Sequence, residues 1–184
     1  MINNTLSTGK TLLRPIQEED YEIIYNWLTD FSYNMLWTNI REFPRKKNFF
    51  ELLNYNIENE FTYYFIISDL KNNKVGTIFI HDYNKIDNYA SISAFIVPEY
   101  QNKFYGIDSY KLVFNFILQN LPIRKLYLDV FSYNTNSISI IEKVGFSLEG
   151  VFKKHRYFNG EYYDLKRYSL FLSDWKKIRE RHLK

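Results

Sequence analysis

Two hydrophobic periodicities alternate along this chain and predict a mixture of helices and strands. After a short strand-like run, "TLLRPI", the segment "EEDYEIIYNWLTD" places apolar residues on one helix face, at Tyr21, Ile24, Tyr25 and Leu28. "PRKKNFFELLNYNI" predicts a second helix with a proline in its first turn. Both helices precede the long strand-like runs, so the chain does not follow a regular strand–helix alternation.

The middle of the chain predicts three strands followed by a helix. The strands are "TYYFIISDL", "KVGTIFIHDY" and "YASISAFIVP", and the turn-rich "KNN" joins the first two as a hairpin. "ASISAFIV" alternates polar and apolar residues, which predicts one apolar face. A regular helical stripe follows at Tyr110, Val113, Phe114, Ile117, Leu118 and Leu121.

The last third adds a strand, "RKLYLDVF", and a short helix, "NTNSISIIEKV", that ends at Gly145. Two more strands flank Asn159-Gly160, a pair typical of a type I′ hairpin turn. "SDWKKIRERHLK" predicts a basic terminal helix. The whole order predicts an α+β (mixed α/β) fold, with a central sheet and helices on its faces. A plain Rossmann fold fits poorly, and GxGxxG is absent.

Composition narrows the class of protein. The 184 residues predict one domain over 1–184, with a core at about 11–172 and a basic tail or helix at 173–184. A net charge of +3, from 24 basic and 21 acidic residues, is too balanced to indicate a nucleic-acid partner. There is no cysteine, no metal-ligand pair among the three histidines and no apolar run of membrane-spanning length. We therefore expect a cytoplasmic protein without bound metal and without a membrane partner.

The loop inside "VPEYQNKFYGIDSYKLV" joins a strand to a helix. Such a join aims unpaired backbone N–H groups at one point, and the helix dipole adds positive potential. Residues Gln101 to Ile107 could thus cradle a diphosphate, with Lys103 adding charge and Gly106 supplying conformational freedom. The alternative is an ordinary strand-to-helix turn, which the loop alone favours.

A second segment, "NTNSISIIEKVGFSLEG" at residues 134–150, changes that balance. With the loop pattern Gln101-x-x-Phe104-x-Gly106 and the closing "FNGEYYDLKRY", it resembles the GNAT superfamily of acetyl-CoA-dependent N-acetyltransferases, and within it the RimJ/RimL-like branch. The resemblance runs from Thr11 to Leu172. It implies a GNAT-like fold, with a mostly antiparallel twisted sheet of about seven strands flanked by about four helices.

The resemblance also implies a reaction. An acetyl group would pass from acetyl-CoA to a primary amine by direct attack in a ternary complex. The amine would be a protein N-terminus, a polyamine, an amino sugar or another small amine. The residues that the resemblance assigns to the cofactor are Phe95, Ile96, Val97, Gln101, Asn102, Lys103, Phe104, Tyr105, Gly106, Ile107, Asn134, Ser137 and Lys143.

Catalytic roles follow for two of these residues. The backbone N–H of Val97 would hold the thioester oxygen as charge develops on it. Ser137 would donate a proton to the leaving thiolate, although a polar residue in the first turn of a helix is an equally good interpretation. The acceptor pocket would draw on Phe31, Tyr33 and Trp37, between the first two helices, with ordinary core packing as the alternative.

The sequence departs from the family pattern at several positions. Phe104 stands where the phosphate loop has a glycine, and Asn102 where a further glycine is common. Ile141 replaces the tyrosine that many members use as general acid. Arg156 and Ser91 stand where some members carry a carboxylate base. No base is assigned, since each other candidate has a structural explanation as well: Asp82, Asp129, Glu149, His81 and His155.

These departures motivate a competing hypothesis, in which the same fold has lost catalysis and acts as a ligand-sensing or interaction module. A weaker alternative is RNA binding through exposed aromatics and basic runs, which the near-neutral charge disfavours. A homodimer is compatible with the sequence, which defines neither the oligomeric state nor the amine.

Overall fold

The computed structural model describes residues 5–30, 45–59 and 62–182. Its strands are β1 (Leu6–Ser7), β2 (Thr11–Pro15), β3 (Tyr63–Asp69), β4 (Lys74–Asn84), β5 (Tyr89–Ile96), β6 (Lys125–Phe131), β7 (Ser147–Phe158) and β8 (Glu161–Phe171). Its α-helices are α1 (Tyr21–Thr29), α2 (Lys46–Asn59), α3 (Tyr105–Asn120), α4 (Thr135–Lys143) and α5 (Leu172–His182). None of the helices within these ranges is long and apolar enough to cross a membrane.

The eight strands form one sheet in the order β1-β2-β3-β4-β5-β6-β8-β7. Neighbouring strands run antiparallel except β5 and β6, which are parallel. The predicted mostly antiparallel α+β architecture is confirmed. The strand beyond the expected seven is β1, whose two residues pair with Leu12 and Leu13 and are too few to show a periodicity. The fifth helix is α5, in the segment predicted as a basic tail or helix.

The sheet separates two apolar layers because successive strand residues point to opposite faces. On one face Phe65 and Ile67 pack into a core with α3, whose Val113, Phe114 and Ile117 are fully buried. We call this side the α3 face; α4 and α5 also pack on it. The predicted α3 stripe is confirmed where it meets the sheet.

The other side of the sheet, the α1 face, carries a smaller core. Ile24 and Trp27 of α1 pack there against Ile66 and Phe95, with 5.7 Å between the rings of Trp27 and Phe95. Trp27 therefore has a packing role, which the amphipathic pattern of α1 favours. The two layers give the sheet a distinct surface on each side of its centre.

Several local signals in the sequence correspond to observed turns. Gly145 has φ 104° just after α4, and its N–H donates to the Glu142 carbonyl at 3.1 Å. Asn159 and Gly160 have φ 48° and 84°, the left-handed pair that a type I′ hairpin requires. Helix α2 begins at Lys46, and the proline expected in its first turn, Pro44, lies outside the described residues.

Gly76 lets β4 approach β5 where β5 ends. A Cβ built on Gly76 would lie 2.1 Å from the Phe95 carbonyl oxygen and 3.1 Å from the Ile96 Cα, far inside van der Waals contact. Only glycine fits this position, because the obstacle is backbone rather than a movable side chain. The end of β5 therefore depends on a glycine one strand away.

A buried ion cluster holds the start of α1 against the sheet. The carboxylate of Asp20 is fully buried and accepts hydrogen bonds from Arg14 Nη1 at 2.6 Å, Lys74 Nζ at 2.7 Å and the Gln17 N–H at 2.9 Å. Burial alone would raise the pKa of Asp20, but these three donors outweigh it and lower the pKa to about 2. The cluster joins β2, β4 and the first turn before α1.

Candidate functional site

The two parallel strands at the centre of the sheet diverge. β5 and β6 pair only between Tyr89–Ser91 and Lys125–Tyr127, and their register stops there although both strands continue. We call the opening between Ile92–Ile96 and Leu128–Phe131 the seam. A cleft of about 70 Å³ lies in it, which we call the seam cleft. Its lining residues are Ile92, Ser93, Ala94, Tyr110, Leu128, Asp129, Val130, Asn134, Ser137 and Ile141.

A larger groove of about 330 Å³ adjoins the seam on the α3 face, and we call it the large groove. Its lining residues are Ala94, Ile96, Tyr100, Gln101, Asn102, Phe104, Tyr105, Gly106, Ile107, Tyr110, Asn136, Ser137, Ser139, Ile140, Ile141 and Lys143. The structure thus brings most of the sequence-predicted cofactor residues to one groove, and Asn134 with Ser137 to the cleft beside it.

Three predicted cofactor residues have side chains elsewhere. The ring of Phe95 is buried on the α1 face against Trp27. Lys103 is exposed, with its ammonium 5.1 Å from the centre of the Tyr100 ring, and it is not among the residues that line either cavity. Val97 also packs in the α1-face core. Alternation along β5 explains the positions of Phe95 and Val97, because their neighbour Ile96 is the residue that faces the groove.

Two helix N-termini open on the large groove. α3 begins at Tyr105, and the amides of its first turn at Tyr105, Gly106 and Ile107 have no acceptor in the preceding turn. α4 begins at Thr135, where Asn134 caps it by accepting the Ser137 N–H at 3.2 Å. The two dipoles add positive potential on the same side of the groove, which suits an anionic diphosphate.

Gln101 links the end of β5 to α4. Its Nε2 donates to the Ile96 carbonyl at 3.0 Å, and its Oε1 accepts from Asn136 Nδ2 at 3.4 Å. The phosphate-loop position that the resemblance singled out is therefore occupied by a side chain that fixes the wall of the groove. The two hydrogen bonds of the Gln101 amide hold the end of β5 and the start of α4 in place.

The loop needs left-handed backbone at positions other than Gly106. Asn102 has φ 60° and Phe104 has φ 71°, whereas Gly106 lies inside α3 with helical backbone. The expectation that Gly106 supplies conformational freedom is therefore wrong. A Cβ there would meet Ile96 and Ile140 side-chain atoms at 3.7 and 3.9 Å, so the glycine widens the groove. Phe104 is 65% exposed and lines the edge of the large groove.

The backbone N–H of Val97 points away from the seam. It donates to the Val75 carbonyl at 3.0 Å, across the pairing of β5 with β4. That bond engages the group expected to hold the thioester oxygen. Hydrogen-bonding direction alternates along an antiparallel strand, so the N–H groups of Ala94 and Ile96 face the seam instead. The geometry moves the expected oxyanion contact by one residue.

Four residues line both cavities, and two of them carry a hydroxyl group. Ala94, Tyr110, Ser137 and Ile141 line the large groove and the seam cleft alike. Burial raises the pKa of the Tyr110 phenol. Tyr110 belongs to the apolar stripe of α3, so sequence reasoning assigned it to the core and missed its position at the cleft. Ile141 is buried and offers no proton.

Two of the five candidate bases, Asp129 and Glu149, pair with basic side chains. Asp129 accepts a bidentate pair from Arg167 at 2.8 and 2.7 Å. Glu149 pairs with Lys125, and this hydrogen bond lowers its pKa. The Arg156 guanidinium is buried 4.8 Å from the centre of the Phe131 ring. These contacts leave the α1 face of the seam as the place to look for a base.

That face carries a hydrogen-bonded polar chain beside stacked aromatic rings. His81 Nδ1 lies 2.8 Å from Asp82 Oδ2, and His81 Nε2 lies 3.0 Å from Ser93 Oγ. The rings of Tyr64 and Phe79 stack at 4.5 Å, and Phe79 lies 5.1 Å from the His81 ring.

Phe31, Tyr33 and Trp37, predicted to line the acceptor pocket, lie outside the described residues. The described part of the chain has no cluster of three or more side chains able to hold a metal ion.

Comparison with known proteins gives the context of this site. A family model described as an acetyltransferase (GNAT) domain matches residues 13–166. A spermidine N(1)-acetyltransferase of Escherichia coli K12 is 26% identical over 165 residues, which cover 90% of this chain and 88% of the relative. An uncharacterized, SPbeta prophage-derived N-acetyltransferase of Bacillus subtilis, YokL, is 31% identical over 162 residues, 87% of this chain and 89% of the relative.

A solved structure shares the fold. The spermidine N-acetyltransferase of Vibrio cholerae, crystallised with CoA and spermine, superimposes with a TM-score of 0.85. It is 24% identical, and the match covers 92% of this chain and 99% of that chain. At this identity the likeness establishes the arrangement of strands and helices.

Proposed function

Because the chain belongs to the GNAT acetyltransferase family, we propose that its acceptor is a polyamine, within the RimJ/RimL-like branch, and that one such domain spans residues 1–184 with its core at about 11–172. The chain is an acetyl-CoA-dependent N-acetyltransferase, with acetyl-CoA as co-substrate. The observation that carries the proposal is the seam, whose cleft shares the lining residues Ala94, Tyr110, Ser137 and Ile141 with the large groove.

The large groove fits acetyl-CoA. The first-turn amides of α3 and α4 suit the diphosphate, and Lys143, which lines the same groove, suits the nucleotide end. Apolar walls from Ile96, Ile107 and Ile140 suit the pantetheine arm, with Asn134 at the seam cleft beside it. Phe104 lines this groove but is 65% exposed, so most of its side chain is not packed against the groove wall.

At the seam, the backbone of β5 faces the thioester. The Ile96 N–H would donate to the thioester oxygen and stabilise the negative charge that develops as the amine attacks. Ser137, at the start of α4, would return a proton to the departing thiolate. Holding the two substrates in line supplies much of the acceleration in a direct transfer of this kind.

The acceptor would approach from the α1 face. Supporting this are the ring layer of Tyr64 and Phe79, the exposed carboxylate of Asp82, and the segment 31–44 with Phe31, Tyr33 and Trp37, which joins α1 to α2 in the chain. A polycation is attracted to such a carboxylate. The choice of a polyamine rests on the relatives that act on spermidine.

A thiol-release assay with acetyl-CoA would test the proposal. Spermidine and spermine should be acetylated with a kcat/KM at least tenfold above that of a ribosomal-protein N-terminal peptide and of glucosamine. A higher kcat/KM for the peptide or for the amino sugar would contradict the polyamine proposal and would indicate that class of acceptor. Calorimetry in the same buffer checks donor binding. Failure to bind any acyl-CoA would favour the competing hypothesis of a ligand-sensing or interaction module.

A further inference from the structure

A bulge in β4 places two consecutive side chains on one face of the sheet. Neighbouring strand residues normally point to opposite faces. The register of β4 with β5 shifts between His81 and Asn84, and Asp82 has φ 50°, in the left-handed region. The bulge brings the Asp82 carboxylate beside the His81 ring, 2.8 Å from Nδ1. Bulges of this kind re-aim side chains and occur often near active sites.

The hydrogen-bond partners define the state of the His81 ring. An ionised carboxylate only accepts hydrogen bonds, so Nδ1 carries the hydrogen that Asp82 accepts. Nε2 is then the basic nitrogen, and it accepts the Ser93 hydroxyl at 3.0 Å. Ser91 donates to the same Asp82 oxygen at 3.2 Å, which holds the carboxylate in place. In the chain Asp82–His81–Ser93, the basic nitrogen of His81 therefore faces Ser93.

Ser93 brings this chain to the seam. It lines the seam cleft together with Asn134 and Ser137. It approaches from the α1 face, opposite the large groove, since Ser93 alternates with Ile92 and Ala94 along β5. The His81 side chain is 29% exposed, so a proton on its ring can reach solvent. The chain thus connects the reaction centre to bulk water.

We propose that His81 is the general base of the acetyl transfer, with Ser93 as its proton relay and Asp82 as the residue that sets its tautomer. This rests on the proposed function, in which an ammonium enters the seam from the α1 face. The ammonium gives a proton to Ser93 Oγ as the Ser93 hydroxyl proton moves to His81 Nε2. The products are a neutral amine and an imidazolium paired with Asp82, which loses the proton to water.

Among the residues that the structure describes, the contacts of His81 include one charged partner. Asp82 bonds it from β4, Ser93 bonds it from β5, and Phe79 packs beside it with Tyr64 stacked behind. Among these contacts only Asp82 carries charge at neutral pH. A pH dependence lost with His81 is therefore attributable to the His81–Asp82 unit.

The kinetic test uses the full chain and saturating acetyl-CoA. His81→Gln should lower kcat/KM for spermidine about 100-fold at neutral pH, the lower end of what a general base contributes. The defect should shrink as pH rises toward about 9, because the free-amine fraction of the substrate grows about tenfold per pH unit below its pKa. His155→Gln removes an exposed histidine on β7 and is the matched control, with unchanged kinetics. Calorimetry should show unchanged acetyl-CoA affinity for all variants.

If His81→Gln does not fold, Ser93→Ala provides the test. This substitution removes a single oxygen atom and should keep the fold. It should lower kcat about tenfold with little change in the KM for acetyl-CoA. A His81→Gln defect below threefold, or one that stays constant with pH, would overturn the proposal, as would full activity of Ser93→Ala.

A second readout needs no acceptor. Nitrogen-15 NMR of the histidine rings in the free enzyme, assigned by the signal lost in His81→Gln, should show His81 with hydrogen on Nδ1 and a bare Nε2. The opposite tautomer would overturn the base assignment. If spermidine and spermine are not acetylated, the acceptor proposal fails, and the His81 test proceeds with whichever amine the assay finds. If no amine is acetylated, the tautomer decides.

Discussion

The two sides of the seam are built in different ways. On the α3 face, the large groove is made of backbone amides, two helix N-termini and apolar walls, nearly all from two short segments, 94–110 and 134–143. On the α1 face, the polar chain joins β4 to β5 through a bulge, and Phe79 of β4 packs beside it with Tyr64 of β3 stacked behind. The donor side is local in sequence and the acceptor side depends on sheet register. That contrast predicts which substitutions damage one side alone.

The largest expected effect is a loss of stability at the buried ion cluster that holds α1, away from the large groove. Asp20→Asn leaves Arg14 and Lys74 facing a neutral amide in a buried site, so the free energy of unfolding should fall by about 3 kcal/mol. Urea unfolding measures the change. Glu19→Gln, an exposed carboxylate 3.9 Å from Arg14, should cost less than about 1 kcal/mol. Equal losses in the two variants would contradict the buried cluster.

The same carboxyl makes stability depend on pH. Its folded-state pKa of about 2 lies below the ordinary value of 3.8, so the folded state favours the ionised form. The contribution is fully present above about pH 4 and is lost as pH falls toward 2. Asp20→Asn should flatten the unfolding free energy over that range. If the variant loses stability below pH 4 as steeply as the wild type does, the pH dependence belongs to other groups.

A substitution at the seam should affect chemistry more than binding. Ser137→Ala keeps the Asn134 cap, which uses the Ser137 backbone N–H, and should lower kcat about 10- to 100-fold with a small change in the KM for acetyl-CoA. Tyr110→Phe is the matched control. The proposed acid is Ser137, and burial raises the pKa of the Tyr110 phenol above its ordinary value, so loss of the Tyr110 hydroxyl should change kcat less than about threefold. A larger loss of kcat in Tyr110→Phe than in Ser137→Ala would assign the general acid to Tyr110.

The smallest effect concerns the loop of the donor side. Phe104 holds a left-handed backbone that disfavours a side chain, so Phe104→Gly should stabilise the fold by about 0.5–1 kcal/mol, after the added chain entropy of glycine. Phe104→Ala removes the ring and keeps the backbone strain. Since Phe104 is 65% exposed at the groove edge, neither variant should tighten acetyl-CoA binding more than about threefold by calorimetry. A tenfold gain in Phe104→Ala would show that the ring obstructs the donor.

Periodicity predicts most of this fold, because each element carries its own pattern of burial. The α3 stripe, the Asn159-Gly160 turn and the stop at Gly145 all follow from local rules. Gly76 has no such signal, since the backbone that excludes a Cβ belongs to Phe95, 19 residues along the chain. The strand β1 is too short to show a pattern.

The site divides in the same way. The proposed phosphate loop and Asn134 can be picked out from the sequence because each belongs to one continuous segment of the chain. Alternation of hydrogen bonds across β4 and β5, which sequence does not reveal, turns the N–H of Val97 toward β4 and moves the proposed thioester contact to Ile96. His81 and Asp82 are adjacent in a strand and should face opposite sides, and only the bulge brings them together. The apolar run Ile78–Ile80 ends just before these two polar residues, and this change is the sequence signal at the bulge.

The central claim is that the donor lies along the seam with its thioester at the β5 backbone. Amide NMR of the nitrogen-15-labelled protein during titration with acetyl-CoA tests this most directly. The account predicts the largest shift changes at Ala94, Ile96, Gly106 and Ser137, with a smaller change at Val97, whose N–H stays bonded to Val75. Changes that leave Ala94 and Ile96 unmoved while shifting Val97 strongly would contradict it.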